Sequence, residues 1–344
     1  MGTGFIIPPT PARPVLMRSP TDLRKDIQPS QSGHSRSDAE LMAHFLTKPG
    51  FLLARVDQIS TAIFTSSGGT GTLNQAEFLL LLNRIGPMIQ IDLARSGGVD
   101  KSTTAYILDN LQEQGWIART ARENDKRSSL VSLTPSGQAL IPHFSEKFAA
   151  LQQQLMAPVD PADRPFLLDC LYKVGTGGDI SAPLWQPACD RHTGLLDTAP
   201  SFLCRRVLQL LHAQFLLSTK GSQLTLRQFS LLVLLDQRQS ITRTEFARIF
   251  GVDPATCAVI LKGPTQRGLI AGTPSKADKR ARLYRITEAG RDVLRQVHPL
   301  VDESEDIVFR SEPRENRVRL IGLLRRIVGR YSPLLRFPGA ISDI

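Results

Sequence analysis

The first third of the chain repeats apolar residues at helical spacing. Between residues 51 and 64 the apolar positions are Leu52, Val56, Ile59 and Ile63. A period of three to four residues places such side chains on one face of a helix. The same period returns over 73–85, after a glycine-rich turn. Two consecutive helices are therefore predicted before residue 86.

A short helical segment, a glycine turn and a further helix are predicted after these two helices. Residues 91–96 form a short periodic segment, and Gly97 and Gly98 interrupt it. Asp100 then stands where a helix N-cap is expected, and Gly115 stands where that helix should close. Helix, glycine turn and helix in this order predict a helix-turn-helix hairpin, the element that many proteins place against DNA.

The second helix of this hairpin has two distinct faces. One face carries side chains that should pack inward, namely Thr104, Ile107, Leu108 and Leu111. The other face is rich in hydrogen-bond donors and acceptors and supplies the candidate base-reading residues Lys101, Ser102, Thr103 and Tyr106. A helix fits the major groove of B-DNA, where such groups contact base edges and phosphates.

Short strands and further helices follow the hairpin. Residues 116–122 and 129–133 alternate as strands do, and the charged turn between them predicts a β-hairpin with a cationic tip. Thr134 should then cap a long helix that reaches about Met156, and another helix is predicted over 161–174. A helix-turn-helix followed by a β-hairpin is the order of a winged helix.

The second half of the chain repeats the first. Aligned pairs 151 residues apart are Phe51 with Phe202 and Phe78 with Phe229. A two-residue insertion near 237–239 is predicted to raise the offset to 153, which matches 125–127 with 278–280. The repeat predicts two winged-helix units in one polypeptide.

The second hairpin helix differs from the first in its chemistry. Pro254 suits the first turn of a helix, whereas Gly263 and Pro264 are expected to weaken or kink its end. Polar reading groups are scarce, and the outward-facing candidates are Ala255, Thr256, Val259 and Lys262. Apolar side chains can contact thymine methyl groups, so the two units are expected to read half-sites of unequal sequence or strength.

Composition changes divide the chain into five segments. A stretch rich in Pro, Ser and Arg comes first, and a stretch rich in Gly and Pro separates the repeats. The expected segments are a flexible basic arm over 1–40, a first unit over 41–175, a linker over 176–199, a second unit over 200–335 and a tail over 336–344.

The overall charge agrees with a polyanionic partner. The chain has 42 Lys and Arg against 32 Asp and Glu, a formal net charge of +10, which favours nucleic acid or an anionic membrane surface. Its longest apolar runs fall far short of the ~20 residues that a membrane-spanning helix needs. The first residues resemble neither a secretory signal nor a myristoylation site, so a cytoplasmic protein without membrane association is expected.

The residues that would indicate a metal site or an enzyme are scattered. The four cysteines, Cys170, Cys189, Cys204 and Cys257, form no C-x-x-C pair, so neither a bound metal nor a cofactor is expected. They are interpreted as reduced structural thiols, with a redox-sensing cysteine as the alternative. No P-loop, dinucleotide fingerprint, G-x-S-x-G or H-E-x-x-H motif occurs, which argues against an enzyme.

Three motifs together resemble the MarR family of bacterial regulators. They are the helix end Leu-Gln-Glu-Gln-Gly-Trp-Ile over 111–117, the Asp-x-Arg of each wing and the Leu-Thr-x-x-Gly exit over 133–137. The resemblance covers both repeats. It implies a mainly α fold with small β wings, in which two tandem winged helix-turn-helix domains form a pseudo-two-fold MarR-like dimer within one chain.

The resemblance also implies a DNA-binding mode. In the family the recognition helix enters the major groove and a wing arginine reaches the minor groove. The corresponding wing residues are Arg122, Lys126, Arg127, Lys279, Arg280 and Arg282. The expected function is sequence-specific binding of double-stranded operator DNA as a transcriptional repressor, with the single chain acting as a monomeric pseudo-dimer. The alternative is a winged-helix interaction module that has lost specific DNA binding.

Family members commonly release DNA when a small aromatic or phenolic anion binds them. By resemblance to regulators of aromatic-acid catabolism, such an anion is the expected effector here. The candidate partners of its carboxylate are the first-helix arginines Arg55, Arg205 and Arg206. Salt bridges or phosphate contacts explain arginines at these positions equally well.

Overall fold

The computed structural model describes residues 35–122, 125–176, 194–238, 240–275 and 280–343. Apolar periodicity organises these residues into fourteen α-helices. Those before the middle of the chain are α1 (Ser35–Phe45), α2 (Pro49–Ser66), α3 (Leu73–Ile85), α4 (Gln90–Gly97), α5 (Lys101–Glu113), α6 (Pro135–Ala139), α7 (Ile141–Met156) and α8 (Arg164–Thr176). Those after it are α9 (Pro200–Ser218), α10 (Leu226–Gln237), α11 (Arg243–Phe250), α12 (Pro254–Gln266), α13 (Glu288–Val308) and α14 (Arg314–Tyr331).

Each repeat contributes one small antiparallel sheet. The described strands are β1 (Met88–Ile89), β2 (Ile117–Arg122), β3 (Asp125–Leu133), β4 (Ile241–Thr242), β5 (Ile270–Pro274) and β6 (Arg282–Ile286). The strand order is β1-β3-β2 in the first sheet and β4-β6-β5 in the second. Met88 pairs with Val131, and Ile241 pairs with Tyr284. The predicted class, mainly α with small β wings in tandem, is confirmed.

Helix caps give the register between the repeats. Thr72 begins α3 with a capping box that Gln75 completes, and Thr225 begins α10 with the same box completed by Gln228. The offset is therefore already 153 at Thr225. The predicted insertion near 237–239 and the match of Phe78 with Phe229 are wrong. The two extra residues lie earlier, because both α9 and the loop after it are one residue longer than their counterparts.

The chain folds into two compact units whose borders differ from the predicted segments. Among the described residues, unit 1 comprises 60–206, and unit 2 comprises 35–59 together with 207–343. One border lies inside α2 and the other inside α9. The N-terminal part of α2, which comes from the first repeat, therefore belongs to unit 2 with the second helix-turn-helix. The N-terminal part of α9, which comes from the second repeat, belongs to unit 1 with the first helix-turn-helix.

Several predicted boundaries need correction at the ends of the repeats. Helix α1 begins at Ser35, inside the segment assigned to a flexible arm, and residues 1–34 lie outside the described part. Of the predicted linker, 177–193 also lie outside it, whereas Gly194–Thr198 form a 3-10 helix. The segment predicted as a tail is packed in unit 2, since Ala340 and Ile341 are buried.

Two predicted elements in unit 1 have different limits. The helix that Thr134 caps is not continuous to Met156, because it ends at Ala139 and restarts at Ile141. Pro142 explains the break, since it has no N–H to donate to the carbonyl four residues earlier. The wing is also tighter than expected, because β3 begins at Asp125 rather than Ser129.

The expected weakening of the second hairpin helix is wrong. Helix α12 continues through Gly263 and Pro264 to Gln266 and has the same 13-residue length as α5. Pro264 forfeits one main-chain hydrogen bond. It is buried, however, and the amides of Arg267 and Leu269 donate to the carbonyls of Gly263 and Pro264 at 3.1 and 2.9 Å. The helix end is therefore closed despite the proline.

Among the described residues, no helix is long and apolar enough to span a bilayer. The same part of the chain contains no cluster of three or more His, Cys, Asp or Glu side chains suited to a metal ion.

Candidate nucleic-acid interface

The helix-turn-helix of unit 1 is built by a glycine and a capping aspartate. Gly98 adopts a left-handed conformation with φ of 60°, which ends α4 and turns the chain. The Asp100 side chain then accepts hydrogen bonds from the amides of Ser102 and Thr103 at 3.0 and 2.9 Å. These bonds satisfy the free N–H groups at the start of α5 and fix the direction of that helix.

Unit 2 builds its hairpin in the same way. Gly251 is left-handed, with φ of 62°, and Asp253 accepts from the amides of Ala255 and Thr256 at 2.9 and 3.0 Å. Burial acts to raise the pKa of Asp253, but the hydrogen bonds from Thr256 and Ala255 prevail and hold it below its usual value. The cap therefore stays ionised and favours the positive end of the α12 dipole.

Most of the predicted reading residues face solvent. On α5, Lys101 and Ser102 are exposed and Tyr106 is 53% exposed. On α12, the predicted reading residues that are exposed are Ala255, Val259 and Lys262, and Val259 occupies the position equivalent to Tyr106. The inward set on α5 is also confirmed, because Thr104, Ile107, Leu108 and Leu111 are all buried.

The two threonines of the predicted reading sets are partly engaged elsewhere. The hydroxyls of Thr103 and Thr256 each donate to the second oxygen of the capping aspartate at 2.5 Å. Both side chains are half-buried. Each hydroxyl therefore reinforces the cap and retains only acceptor capacity for a partner.

An ion pair that the sequence reasoning missed ties the recognition helix of unit 1 to its wing. Arg119 on β2 donates to Asp109 on α5 at 2.7 Å. At the equivalent positions unit 2 has Gly272 and Lys262. Lys262 has no acidic partner within the described residues. The exchange of Asp109 for Lys262 gives α12 a free cation where α5 carries a carboxylate.

The wing residues divide into those whose side chains the structure describes and those it does not. Arg122, Lys126 and Arg127 have their backbones in β2 and β3, but their side chains lie outside the described part, as does all of Lys279. Arg280 is exposed in the turn before β6. Arg282 is exposed too, and it donates to the carbonyl of Gly272 at 2.8 Å across the β5–β6 hairpin.

A Thr-x-x-Gly motif, preceded by Leu133 in unit 1 and Ile286 in unit 2, anchors each wing to the helix that follows. In unit 1 the Thr134 hydroxyl donates to the carbonyl of Gly115 at 2.6 Å. A Cβ atom at Gly137 would lie 2.0 Å from the carbonyl oxygen of Trp116, so only glycine fits. Unit 2 repeats this contact, because a Cβ atom at Gly290 would lie 2.1 Å from the carbonyl oxygen of Leu269.

The predicted effector residue Arg55 is engaged by the protein in unit 2. Its guanidinium donates to the carbonyl of Gly251 at 3.1 Å, to the Ser332 hydroxyl at 3.1 Å and to the carbonyl of Phe337 at 2.9 Å. It also hydrogen-bonds the carbonyl of Pro338. Burial lowers the pKa of Arg55 to about 10, so the group remains charged at neutral pH. Arg55 thus fastens the hairpin turn to the C-terminal segment.

The two predicted effector residues of the second repeat lie in unit 1. Arg205 is 2.5 Å from the carboxylate of Glu77, and both side chains are buried. Arg206 is buried as well, with its guanidinium 5.6 Å from the centre of the Phe202 ring. For Arg205, the salt bridge that was the alternative interpretation is present.

Unit 2 contains an apolar cavity beside its helix-turn-helix. Its volume is about 110 Å³, and aromatic walls are provided by Phe45, Phe51, Phe229, Phe246 and Phe250. The rest of the wall includes small or polar residues, among them Ala54, His212, Arg227 and Ser230. A cavity of roughly 150 Å³ lined by apolar side chains can hold benzene, so this one approaches the size of a single aromatic ring.

Charged groups are arranged at the edges of the cavity. Lys48 donates to Asp302 at 2.7 Å, and Arg317 donates to Glu305 at 2.9 Å. These two contacts neutralise the carboxylates of Asp302 and Glu305, which line one side of the cavity. Burial raises the pKa of Glu305, although both cations oppose it. Burial, aided by Arg227, lowers the pKa of His212 to about 4, so the imidazole is neutral at pH 7.

Comparisons with known proteins agree with this geometry. The MarR family model matches twice, over 72–129 and 224–281. The HTH-type transcriptional regulator YfiV of Bacillus subtilis is 33% identical over 76 residues, which are 22% of this chain and 48% of that protein. The HTH-type transcriptional repressor NicR of Pseudomonas putida is 28% identical over 127 residues, 36% of this chain and 80% of that protein.

Among solved structures, the transcriptional repressor CouR bound to a 23-mer DNA duplex is 30% identical. That alignment covers 40% of this chain and 97% of CouR, with a TM-score of 0.38. The chain spans about half the length of YfiV and most of NicR and CouR. Two family matches fall on the two helix-turn-helix and wing segments described above. The chain therefore belongs to the MarR family of winged helix-turn-helix transcriptional regulators and carries two such domains in tandem.

Proposed function

We propose that this chain is a sequence-specific double-stranded DNA-binding repressor that acts in the cytoplasm as a single polypeptide. The observation that carries the proposal is the pair of recognition helices, each rigidly capped by an aspartate and each presenting an exposed outer face. Helix α5 exposes Lys101 and Tyr106, and α12 exposes Val259 and Lys262. The net charge of +10 supports a polyanionic partner.

The two helices are suited to different DNA sequences. Helix α5 offers the Lys101 ammonium, the Ser102 hydroxyl and the Tyr106 phenol to base edges and phosphates. Helix α12 offers an apolar surface at Val259, which suits a thymine methyl group, and the Lys262 cation for a phosphate. We infer that the operator consists of two unequal half-sites. Linkage of the units in one chain raises the effective concentration of the second once the first has bound.

The wings are proposed to contact the minor groove beside each recognition helix. An arginine in a narrow minor groove responds to its enhanced negative potential more than to base identity. Arg127 in the first wing and Arg280 in the second are the candidates. Because unit 1 has the more polar reading helix, loss of Arg127 should weaken binding more than loss of Arg280.

The test is a gel-shift titration of the full chain against the DNA upstream of its own gene, at two salt concentrations. The variants are Arg127→Ala and Arg280→Ala, and Arg314→Ala removes an exposed cation from α14 as a matched control. Each wing variant should weaken binding and reduce its salt dependence by about one counterion, whereas the control should leave both unchanged. Absence of binding at low salt would support the alternative, a winged-helix interaction module.

We further propose that a single-ring aromatic carboxylate binds in the unit 2 cavity and releases the DNA. The aromatic walls and the volume of about 110 Å³ suit one ring. Arg227, which has no carboxylate partner within the described residues, suits the acid group. For release, the ligand must bind the DNA-incompetent state more tightly. Benzoate added to the gel shift should weaken DNA binding, and Arg227→Ala should diminish this effect.

A further inference from the structure

Arg205 on α9 is a buried cation of unit 1 with several protein partners. Its guanidinium pairs with Glu77 at 2.5 Å and donates to Asn74 at 3.0 Å and to the carbonyl of Gly97 at 3.1 Å. Glu77 has no exposed surface, and the Arg205 side chain is 8% exposed. An arginine and a glutamate thus fill the space between α9, α3 and the hairpin turn.

The same positions in unit 2 line the cavity. The offset of 151 that holds in the first helices relates Arg205 to Ala54. The offset of 153 that holds from the capped helix onward relates Glu77 to Ser230, Asn74 to Arg227 and Gly97 to Phe250. Every one of Ala54, Ser230, Arg227 and Phe250 lies in the cavity wall. Arg205, Glu77, Asn74 and Gly97 are therefore the counterparts of residues that line a ligand site.

We propose that the chain has one effector site, in unit 2, and that the Arg205–Glu77 ion pair permanently fills the equivalent site in unit 1. In unit 1 the Glu77 carboxylate pairs with an arginine, Arg205. In unit 2 the carboxylate of the ligand pairs with Arg227 instead. The ligand class rests on the effector function proposed above. The asymmetry itself rests on the substitution of Arg205 for Ala54 and of Glu77 for Ser230.

Exclusion of a ligand from unit 1 follows from the energetics of buried charge. A ligand in that space would have to separate Arg205 from Glu77 or expel both. Breaking a buried ion pair is costly because each charge is left without compensation. The cost weakens binding at this site by roughly a hundredfold or more. At ligand concentrations that saturate the unit 2 cavity, the unit 1 site, which the ion pair fills, therefore binds no ligand.

The test is isothermal titration calorimetry of the full chain with benzoate. Wild type should bind one benzoate per chain. Arg205→Ala, Glu77→Ser and Asn74→Arg together install the unit 2 residues at three of the four equivalent positions of unit 1, including the cation for the carboxylate, and should give two. The reciprocal pair, Ala54→Arg with Ser230→Glu, should abolish binding. Arg205→Met with Glu77→Gln removes the charges but keeps the space filled, so this control should still bind one.

The outcomes separate the two proposals. Two benzoates per wild-type chain would overturn the single-site inference and leave the effector function intact. No binding to any variant would overturn the aromatic-acid effector itself. A folded Arg205→Ala, Glu77→Ser, Asn74→Arg variant that still binds one would also overturn the inference. If that variant fails to fold, the Ala54→Arg, Ser230→Glu variant decides the matter. The inference is overturned if this variant binds benzoate as tightly as wild type does.

Discussion

Replacing Arg55 with alanine should destabilise unit 2 strongly, because one side chain holds several acceptors together. Arg55 is 2% exposed and donates to Gly251 and Ser332 in buried contacts, and to Phe337 in a partly buried one. An acceptor left unsatisfied in the interior costs about 1–3 kcal/mol. Water can reach the partly buried carbonyls, so the two buried acceptors dominate. We expect a loss of about 3–5 kcal/mol in the free energy of unfolding.

Urea and thermal unfolding followed by circular dichroism measure this loss. For a unit of 150–250 residues, 1 kcal/mol corresponds to roughly 2–4 °C, so the unit 2 transition should fall by about 6–20 °C. The control is Arg95→Ala, whose ion pair with Asp92 is long at 3.9 Å and whose side chain is 47% exposed. It should change stability by less than about 0.5 kcal/mol. If Arg55→Ala lowers the free energy of unfolding by less than about 1 kcal/mol, Arg55 does not hold the hairpin turn and the C-terminal segment together.

Four further predictions concern single residues. Gly290→Ala should destabilise unit 2 by about 3 kcal/mol or more, because the new Cβ atom would lie 2.1 Å from the Leu269 carbonyl oxygen. Gly322→Ala meets nothing within 4 Å and should stabilise α14 by up to about 1 kcal/mol, as thermal melts will show. Burial raises the pKa of Cys257 to about 12, so iodoacetamide should label this thiol at pH 8 only after denaturation, by peptide mass. Because burial lowers the pKa of His212 from 6.5 to about 4, only the unfolded chain binds its proton between these values. Stability should therefore fall by about 3 kcal/mol from pH 6.5 to 4, and denaturation of His212→Gln should lack this share of the loss.

Local sequence signals predicted the parts that depend on neighbouring residues. The left-handed glycine, the aspartate cap and the inward set Thr104, Ile107, Leu108 and Leu111 are all in place. Such features depend on backbone conformation and helical periodicity within a few residues. The failure at Gly263 and Pro264 has a tertiary cause, since Pro264 is buried in unit 2 and α12 continues past it. The break before Ile141 has a local cause, because Pro142 removes one main-chain donor inside the segment predicted as a continuous helix.

The sequence alone determined that two winged helix-turn-helix domains stand in tandem, because a repeated pattern of caps, glycines and strands is local information. The tertiary structure decided which residues meet across long stretches of chain. Arg55 contacts Gly251 and Phe337, and Arg205 contacts Glu77 and Gly97. These partners lie too far away along the chain for helical or strand periodicity to predict the contacts. The sequence makes both arginines candidates for ligand contacts or, equally, for salt bridges, and the structure shows each buried against protein acceptors. The difference between a cavity beside Ala54 and an ion pair at Arg205 is likewise decided by the tertiary structure, because cavities depend on packing among distant segments.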